Sequence, residues 1–180
     1  MRSHEALYAG LNAILFLALT GARPNEALQA RWEQFDLEAG EWRKPAANTK
    51  NRTAQTVPLA PEALELLHAI RGAAAMGGDG AGAGEWLFPS PRSGKLPHLT
   101  TVKKRWATLC KNADLGDVAL YDLRKTFATR LMSQGASVIT VQSLTGHKTP
   151  TVLLKHYNQV VGDDQRRAVA GLMKPRQKDA

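Results

Sequence analysis

The sequence predicts a mainly α-helical domain that carries one small antiparallel β-sheet (an α+β fold). Long segments before residue 21 and after residue 61 are typical of helices, ended by glycine or opened by proline. Three short segments between residues 32 and 59 are typical of strands joined by turns. With 180 residues, the chain is long enough for one domain with its own hydrophobic core.

The first elements are two helices and the sheet. Residues 5–20 are predicted as a buried helix that Gly21 ends, and Pro24 suits the first turn of a short helix that reaches about residue 30. The strands are expected at residues 32–35, 41–43 and 53–59, with a hairpin turn at 36–40 and a second turn at 48–52.

The second half of the chain is predicted to be helical. Residues 77–84 (GGDGAGAG) form a flexible linker, because they lack the Lys-Ser/Thr ending and the preceding strand of a phosphate-binding loop. We assign residues 1–173 to one domain and the basic residues 174–180 to a tail. Helices are expected at residues 61–75, 100–112, 122–133 and 137–144, after Pro150, and at residues 163–173.

Composition excludes several classes of protein. The single Cys110 rules out an intrachain disulfide framework, and it forms no paired zinc-ligand spacing with the five histidines. We therefore expect no metal and no cofactor. The first 22 residues loosely resemble a signal peptide, but Glu5 and Asn12 argue against one, and the apolar run 13–19 is too short to span a bilayer. A cytoplasmic protein without membrane contact is expected.

Positive charge is concentrated in the second half of the chain. Residues 1–90 carry eight Lys and Arg against ten Asp and Glu, whereas residues 91–180 carry sixteen against six. A net charge of +8 and a pI near 9.9 favour a polyanionic partner, and nucleic acid is the commonest one. A basic surface without a partner is the alternative that charge alone leaves open.

Four separated motifs carry residues suited to phosphate chemistry. They are GARPNE at 21–26, TK at 49–50, YDLRKT at 121–126 and LTGHKTPTVLLKHY at 144–157. Each has an ordinary interpretation by itself. Arg23 and Glu26 could be a simple helix ion pair, and a half-buried Arg124 needs only an acceptor such as Asp122 or a backbone carbonyl. Tyr157 could be a tyrosine at the edge of the core.

Taken together and in this order, the motifs resemble the tyrosine recombinase family, also called phage-type integrases. Arg23 and Glu26 match its G-x-R-x-x-E, and Thr49-Lys50 followed by VPL at 57–59 matches its hairpin lysine. YDLRKTFAT at 121–129 matches H-x-x-R-[HK]-[TS]-x-A-[ST] except at the first position. His147 and Tyr157 match the family's G-H and nucleophilic tyrosine, and the likeness runs from about residue 5 to residue 170.

The resemblance implies the catalytic-domain fold of DNA breaking-rejoining enzymes and assigns a role to each matching residue. Arg23 and Arg124 would bind the phosphate bidentately, with His147 as a third donor and Glu26 in support. Tyr157 would attack phosphorus to form a 3′-phosphotyrosyl bond, and Lys50 would protonate the departing 5′-oxygen. The stored bond energy lets a 5′-hydroxyl rejoin the DNA without ATP or a metal.

One residue departs from the family pattern, and the chain begins close to the catalytic helix. Tyr121 stands where the family more often has histidine; its phenol can donate a hydrogen bond to phosphate but cannot act as a cation. Family members usually carry an N-terminal core-binding domain, which we expect to be absent from this chain. DNA contacts are expected from Lys103, Lys104, Arg105, Lys125, Lys148 and Lys155.

The expected activity is site-specific recombination of double-stranded DNA by a homotetramer, with the isolated domain as a possible monomer. Two other functions share parts of this interpretation. A type IB topoisomerase uses the same chemistry, although the compact hairpin and the His147–Tyr157 spacing favour a recombinase. A DNA-binding module of the same fold that has lost catalysis would account for Tyr121 as an early sign of decay.

Overall fold

The computed structural model describes residues 2–49, 52–76, 84–90, 97–147, 149–151 and 153–154. It confirms the predicted fold class, because these residues form mostly α-helices together with one three-stranded antiparallel sheet. The helices are α1 (Arg2–Thr20), α2 (Pro24–Leu28), α3 (Pro61–Met76), α4 (Lys103–Asn112), α5 (Asp122–Ser133) and α6 (Val138–Thr145). Helix α1 is central and contacts α2, α3, α4 and α5.

Glycine ends α1, as predicted. Gly21 adopts a φ of +60°, a left-handed conformation that glycine reaches without strain. A Cβ atom at this position would overlap the Phe127 ring, with Cγ only 2.7 Å away, so α5 packs directly onto the turn. The chain then extends through Arg23 and enters α2 at Pro24. The close approach of α5 brings the end of α1 next to the second arginine motif.

The sheet has the order β1 (Phe35–Asp36), β2 (Glu41–Lys44) and β3 (Gln55–Pro58), and both strand pairs are antiparallel. The central strand β2 pairs Trp42 with Phe35 on one side and with Val57 on the other. The hairpin between β1 and β2 and the third strand were predicted, although β3 is shorter than residues 53–59.

The prediction of a strand at residues 32–35 was largely wrong, because Trp32–Gln34 form a 3₁₀ turn. The Trp32 amide donates a hydrogen bond of 3.0 Å to the Glu85 carbonyl, and Arg31 forms an isolated bridge with Trp86. These contacts direct the chain toward residues 85–87 instead of along the sheet. Residues 85–87 are a partner that no periodicity in the sequence connects to Arg31 and Trp32.

The main hydrophobic core lies between α1, α3 and the sheet. The Phe16 ring of α1 contacts Trp42 at 5.2 Å and Phe88 at 5.8 Å between centroids, in edge-on geometries that aromatic rings favour. A second, smaller cluster joins α5 and α6 to the helical segment after Pro150. Its buried members are Ala128, Met132, Val141 and Leu153.

Some predicted elements lie outside the described residues. These are the last helix at 163–173, the basic tail at 174–180 and most of the glycine-rich linker at 77–84. The domain boundary at residue 173 therefore stays a prediction. None of the described helices is long and apolar enough to cross a membrane.

Candidate active site

The first arginine of the site extends from the turn between α1 and α2. Nη1 of Arg23 donates a hydrogen bond of 2.8 Å to Oε1 of Glu26, which lies one turn further along the chain in α2. Nη2 donates a bond of 2.8 Å to the carbonyl oxygen of Gly146, far away in the sequence. The predicted i,i+3 ion pair therefore exists, but it also directs the guanidinium toward the loop that follows α6.

The second arginine is buried on α5, where only 2% of Arg124 is exposed. Its Nη1 donates a bond of 2.8 Å to the Gly21 carbonyl, and Nη2 donates to the Thr145 carbonyl. Two backbone carbonyls are thus the acceptors, whereas Asp122 receives bonds from Lys125 and from the Ala119 amide. Arg124 therefore joins the end of α1 to the end of α6.

Arg124 retains one donor for a further acceptor. Its Nε atom is buried and makes no hydrogen bond to the part of the chain that the structure describes. Burial lowers the pKa of the Arg124 guanidinium, and the positive charge of Arg23 lowers it further, while Tyr121 and Glu26 oppose both effects. A ligand that brings negative charge to Nε would satisfy the donor and relieve the repulsion between the two arginines.

His147 follows the glycine that ends α6. Gly146 adopts a φ of +66°, and the side-chain amide of Gln142 donates a hydrogen bond of 3.0 Å to the His147 carbonyl. Oγ1 of Thr145 lies 2.6 Å from the Val141 carbonyl and 2.6 Å from Nδ1 of His147. Because the hydroxyl proton must go to the carbonyl, Nδ1 of His147 donates to Oγ1, which defines the tautomer of the neutral ring.

The two arginines and the histidine meet at one loop. Arg23 binds the carbonyl of Gly146, and Arg124 binds the carbonyl of Thr145, so adjacent carbonyls hold both guanidinium groups. Nη2 of Arg124 also lies 3.4 Å from Nε2 of His147. The structure therefore brings together three residues that the sequence placed in three separate motifs. We call Arg23 and Arg124 the arginine pair.

A buried lysine, which the sequence analysis did not select, completes the site. Nζ of Lys44 lies 3.2 Å from Oε2 of Glu26 and 4.3 Å from the centroid of the Trp42 ring. Burial raises the pKa of Glu26, but Lys44 and Arg23 outweigh it and the net pKa is lowered. Burial also lowers the pKa of Lys44, against the opposing effect of Glu26. The alternation of Trp42 inward and Arg43 outward is the sequence signal that predicts an inward Lys44.

The hairpin that carries Lys50 is tied to α6. Nε2 of Gln55, on β3, donates to the carbonyls of Ser143 and Leu144, the latter at 3.2 Å. The turn is closed by Thr49, whose hydroxyl oxygen lies 2.9 Å from the Thr53 carbonyl and accepts a 3.1 Å bond from the Thr53 amide. Lys50 lies outside the described residues. An open cleft of about 560 Å³ separates the hairpin from α6, and Arg23 and His147 line it.

The remaining predicted residues divide into described and undescribed ones. Tyr121 is 43% exposed at the start of α5, next to Arg124. Lys103 and Lys104 are exposed on α4, Arg105 packs against Gly10 of α1, and Lys125 forms an ion pair of 2.6 Å with Asp122. Lys148, Lys155 and Tyr157 lie outside the described residues, as Lys50 does.

Leu153, four residues before Tyr157 in the sequence, lies close to Arg124. Leu153 is 3% exposed and packs in the cluster of α5 and α6. It also lines a small crevice with Tyr121, Arg124 and His147. The described part of the chain contains no group of three or more His, Cys, Asp or Glu side chains that could hold a metal ion.

The fold and the site together define a class of protein. A helical domain around a three-stranded sheet, with the arginine pair and His147 at one loop, is the catalytic-domain fold of the tyrosine recombinases. Within that class, the chain belongs to the Phage integrase family, which matches residues 3–162.

Three comparisons place the chain among known proteins. It is 32% identical over 151 residues to the prophage integrase IntA of Escherichia coli strain K12, covering 83% of this chain and 34% of IntA. It is 29% identical over 157 residues to the tyrosine recombinase XerD of Corynebacterium glutamicum, covering 84% of this chain and 48% of XerD. The chain thus spans a third to a half of these relatives.

The third comparison is structural. The Tn1549 transposon integrase, solved in complex with circular intermediate DNA, superposes with a TM-score of 0.68 at 20% identity. The superposition covers 89% of this chain and 59% of that chain. At this level of identity, the likeness shows a shared fold.

Proposed function

We propose that this chain is the catalytic domain of a site-specific DNA recombinase or integrase that cleaves and rejoins DNA through a 3′-phosphotyrosyl intermediate. One observation carries the proposal. Arg23 and Arg124, far apart in the sequence, bind adjacent carbonyls of the loop that leads into His147. Two guanidinium donors suited to a phosphodiester and the His147 ring therefore converge, although no local element of secondary structure requires them to do so.

The convergence fits the charge that develops during phosphoryl transfer. Attack on a phosphodiester concentrates negative charge on its non-bridging oxygens. Arg124 supports this role because its buried Nε lacks an acceptor in the described part of the chain. Arg23 is 18% exposed and lines the open cleft. Preorganised donors of this kind commonly contribute ~3–4 kcal/mol each to transition-state stabilisation.

The covalent step requires two residues from the undescribed segments. The Tyr157 hydroxyl gives its proton to water as its oxygen forms a bond to phosphorus, while the bond from phosphorus to the 5′-oxygen breaks and Lys50 gives a proton to that oxygen. In the reverse step, a 5′-hydroxyl attacks the phosphotyrosine and returns its proton to Lys50, and the departing Tyr157 oxygen takes a proton from water. The burial of Leu153 against α5 and α6 supports this role, since it anchors the chain four residues before Tyr157.

Tyr121 is proposed to donate one hydrogen bond to a phosphate oxygen. Its partial exposure beside Arg124 leaves room for that contact. A phenol cannot supply the positive charge of a protonated histidine, so slower cleavage than with histidine is expected.

Double-stranded DNA is the proposed partner. The Tn1549 integrase was solved with DNA, and this chain carries its positive charge in the half that contains α4 to α6. A homotetramer on DNA and a cytoplasmic location are proposed with the function. The residues proposed to contact the DNA backbone are Lys103, Lys104, Arg105, Lys125, Lys148 and Lys155.

A covalent-adduct assay tests the function. The protein is incubated with a pool of random duplexes that carry a nick just past the cleavage position, so that the released fragment diffuses away and the adduct accumulates. A protein–DNA adduct that is absent with Tyr157→Phe is the expected result. DNA binding without any adduct would favour the non-catalytic DNA-binding module instead, and an adduct that persists in Tyr157→Phe would reject Tyr157 as nucleophile.

A further inference from the structure

Lys44 is a buried cation to which none of the proposed catalytic steps assigns a role. Only 3% of the residue is exposed, and its ammonium group lies between the Trp42 ring and Glu26. Burying an ammonium group is costly unless it is paired, and a methionine or leucine would fill the same space without that cost. The burial of this charge therefore calls for a reason beyond packing.

The two oxygens of Glu26 are shared between two cations. Oε1 accepts from Arg23 at 2.8 Å, and Oε2 accepts from Lys44 at 3.2 Å. Arginine and a carboxylate otherwise favour a bidentate pair in which two nitrogens face two oxygens. By occupying Oε2, Lys44 restricts Arg23 to one bond with Glu26, and the second terminal nitrogen of Arg23 binds Gly146 instead.

The charges of the site point to the same conclusion. Arg23, Arg124 and Lys44 contribute three positive charges and the Glu26 carboxylate one negative charge, which leaves a net charge of +2 to attract the negative charge of a phosphodiester. Burial lowers the pKa of Lys44, and the positive charges of Arg124 and Arg23 lower it further, so the three cations lie close enough to repel one another. Without Lys44, both oxygens of Glu26 would be available to Arg23. The carboxylate would then compete with a bound phosphate for the Arg23 guanidinium.

We propose that Lys44 is a positioning residue for the arginine pair: it holds Oε2 of Glu26, so that Arg23 stays turned toward Gly146 and the phosphate site. The proposal rests on the proposed function for its catalytic consequence, but the geometry of Arg23 can be measured without activity. Lys44 acts through Glu26 and Arg23 and does not itself touch the substrate.

Chain neighbours offer a matched set of variants. Lys44→Met removes the ammonium group and keeps a long apolar side chain on Trp42. Arg43→Met removes one positive charge from the adjacent position of β2. The Arg43 side chain is 59% exposed and pairs with Asp36. The double variant Lys44→Met with Glu26→Gln removes one charge of each sign and restores the net charge of the wild-type cluster.

The first measurement is the rate of adduct formation in a single turnover at saturating protein on a nicked duplex from the pool. We expect Lys44→Met to slow the reaction about tenfold with little change in the Kd for DNA, as the loss of one preorganised contact does. Arg43→Met should stay close to wild type. The double variant should recover most of the rate, because the neutral amide that replaces the Glu26 carboxylate no longer competes for Arg23. Additive losses, or no loss in Lys44→Met, would overturn the proposal.

The second measurement is the crystal structure of Lys44→Met beside that of the wild type. We expect both terminal nitrogens of Arg23 to bind Glu26 and the bond to Gly146 to be lost. An Arg23 guanidinium that keeps its bond to Gly146 would overturn the proposal. If the wild type forms no adduct, the proposed function fails while this comparison still decides the role of Lys44. If Lys44→Met does not fold, Lys44→Gln replaces it, because glutamine keeps a hydrogen-bond donor without the charge. We expect the Arg23 guanidinium to lose its bond to Gly146 in that variant too.

Discussion

Replacing Arg124 by methionine should destabilise the domain as well as inactivate it, because this side chain joins three segments of the fold. The guanidinium binds the carbonyl at the end of α1 and the carbonyl at the end of α6, and it is 2% exposed. Arg124→Met leaves the carbonyls of Gly21 and Thr145 without their buried donors.

The magnitude follows from those two contacts. A buried polar group that loses its hydrogen-bond partner costs about 1–3 kcal/mol, so two such groups cost about 2–6 kcal/mol. Removing a buried charge recovers part of that loss, since the desolvation cost of the guanidinium disappears with it. We therefore expect the free energy of unfolding to fall by about 2–4 kcal/mol.

The assay is urea unfolding at pH 7, followed by the fluorescence of the buried Trp42 and of the other tryptophans. Arg130→Met is the matched control, because Arg130 lies on the same helix and is exposed, so a change within about 0.5 kcal/mol is expected there. A loss below 1 kcal/mol in Arg124→Met, or a loss equal to that of the control, would refute the view that Arg124 ties the segments together.

Three further predictions test single contacts. Gly21→Ala should lower the free energy of unfolding by more than about 1 kcal/mol, because its Cβ would meet the Phe127 ring and its φ is +60°. Gly116→Ala is the control in urea unfolding, since Gly116 has a φ of +65° but open space around it. The difference between the two variants separates the clash from the backbone strain. The lowered pKa of Glu26 means that its contribution to stability is present above the ordinary carboxylate pKa of about 4.3 and is lost as the pH falls through the folded-state pKa. The difference in free energy of unfolding between wild type and Glu26→Gln should therefore shrink as the pH falls through the folded-state pKa of Glu26. A difference that stays constant with pH would contradict this. Tyr121→Phe should slow adduct formation and Tyr121→His should not; a Tyr121→Phe variant that cleaves at the parental rate would remove the hydroxyl from the mechanism.

Local signals in the sequence were sufficient for most of the fold. Gly21, Pro24 and Ser137 each determine a helix end by local geometry. In the structure, α1 ends just before Gly21, α2 begins at Pro24, and α6 begins just after Ser137. The error at residues 32–35 has a non-local cause. The backbone of Arg31 and Trp32 pairs with residues 85 and 86, and no local pattern records a partner so distant in the chain.

The site was predictable where residue types are diagnostic and hidden where only contacts reveal the role. Arginine in a semi-apolar helix requires acceptors, so Arg124 could be selected, but its acceptors at Gly21 and Thr145 depend on how α1, α5 and α6 pack. The alternation along β2 predicts an inward Lys44, but only the contact with Glu26 reveals its role. Gln55 was missed for the same reason, because its contact with α6 is tertiary.

The most direct test of the central claim is to identify the amino acid that becomes linked to DNA. The adduct from the nicked duplex is digested with protease and nuclease, and the linked peptide is sequenced by mass spectrometry. We expect a nucleotide 3′-phosphate on the Tyr157 oxygen, formed by the wild type and abolished in both Arg23→Met and Arg124→Lys. A nucleotide attached to any other residue, or an adduct whose yield is indifferent to both arginines, would contradict it.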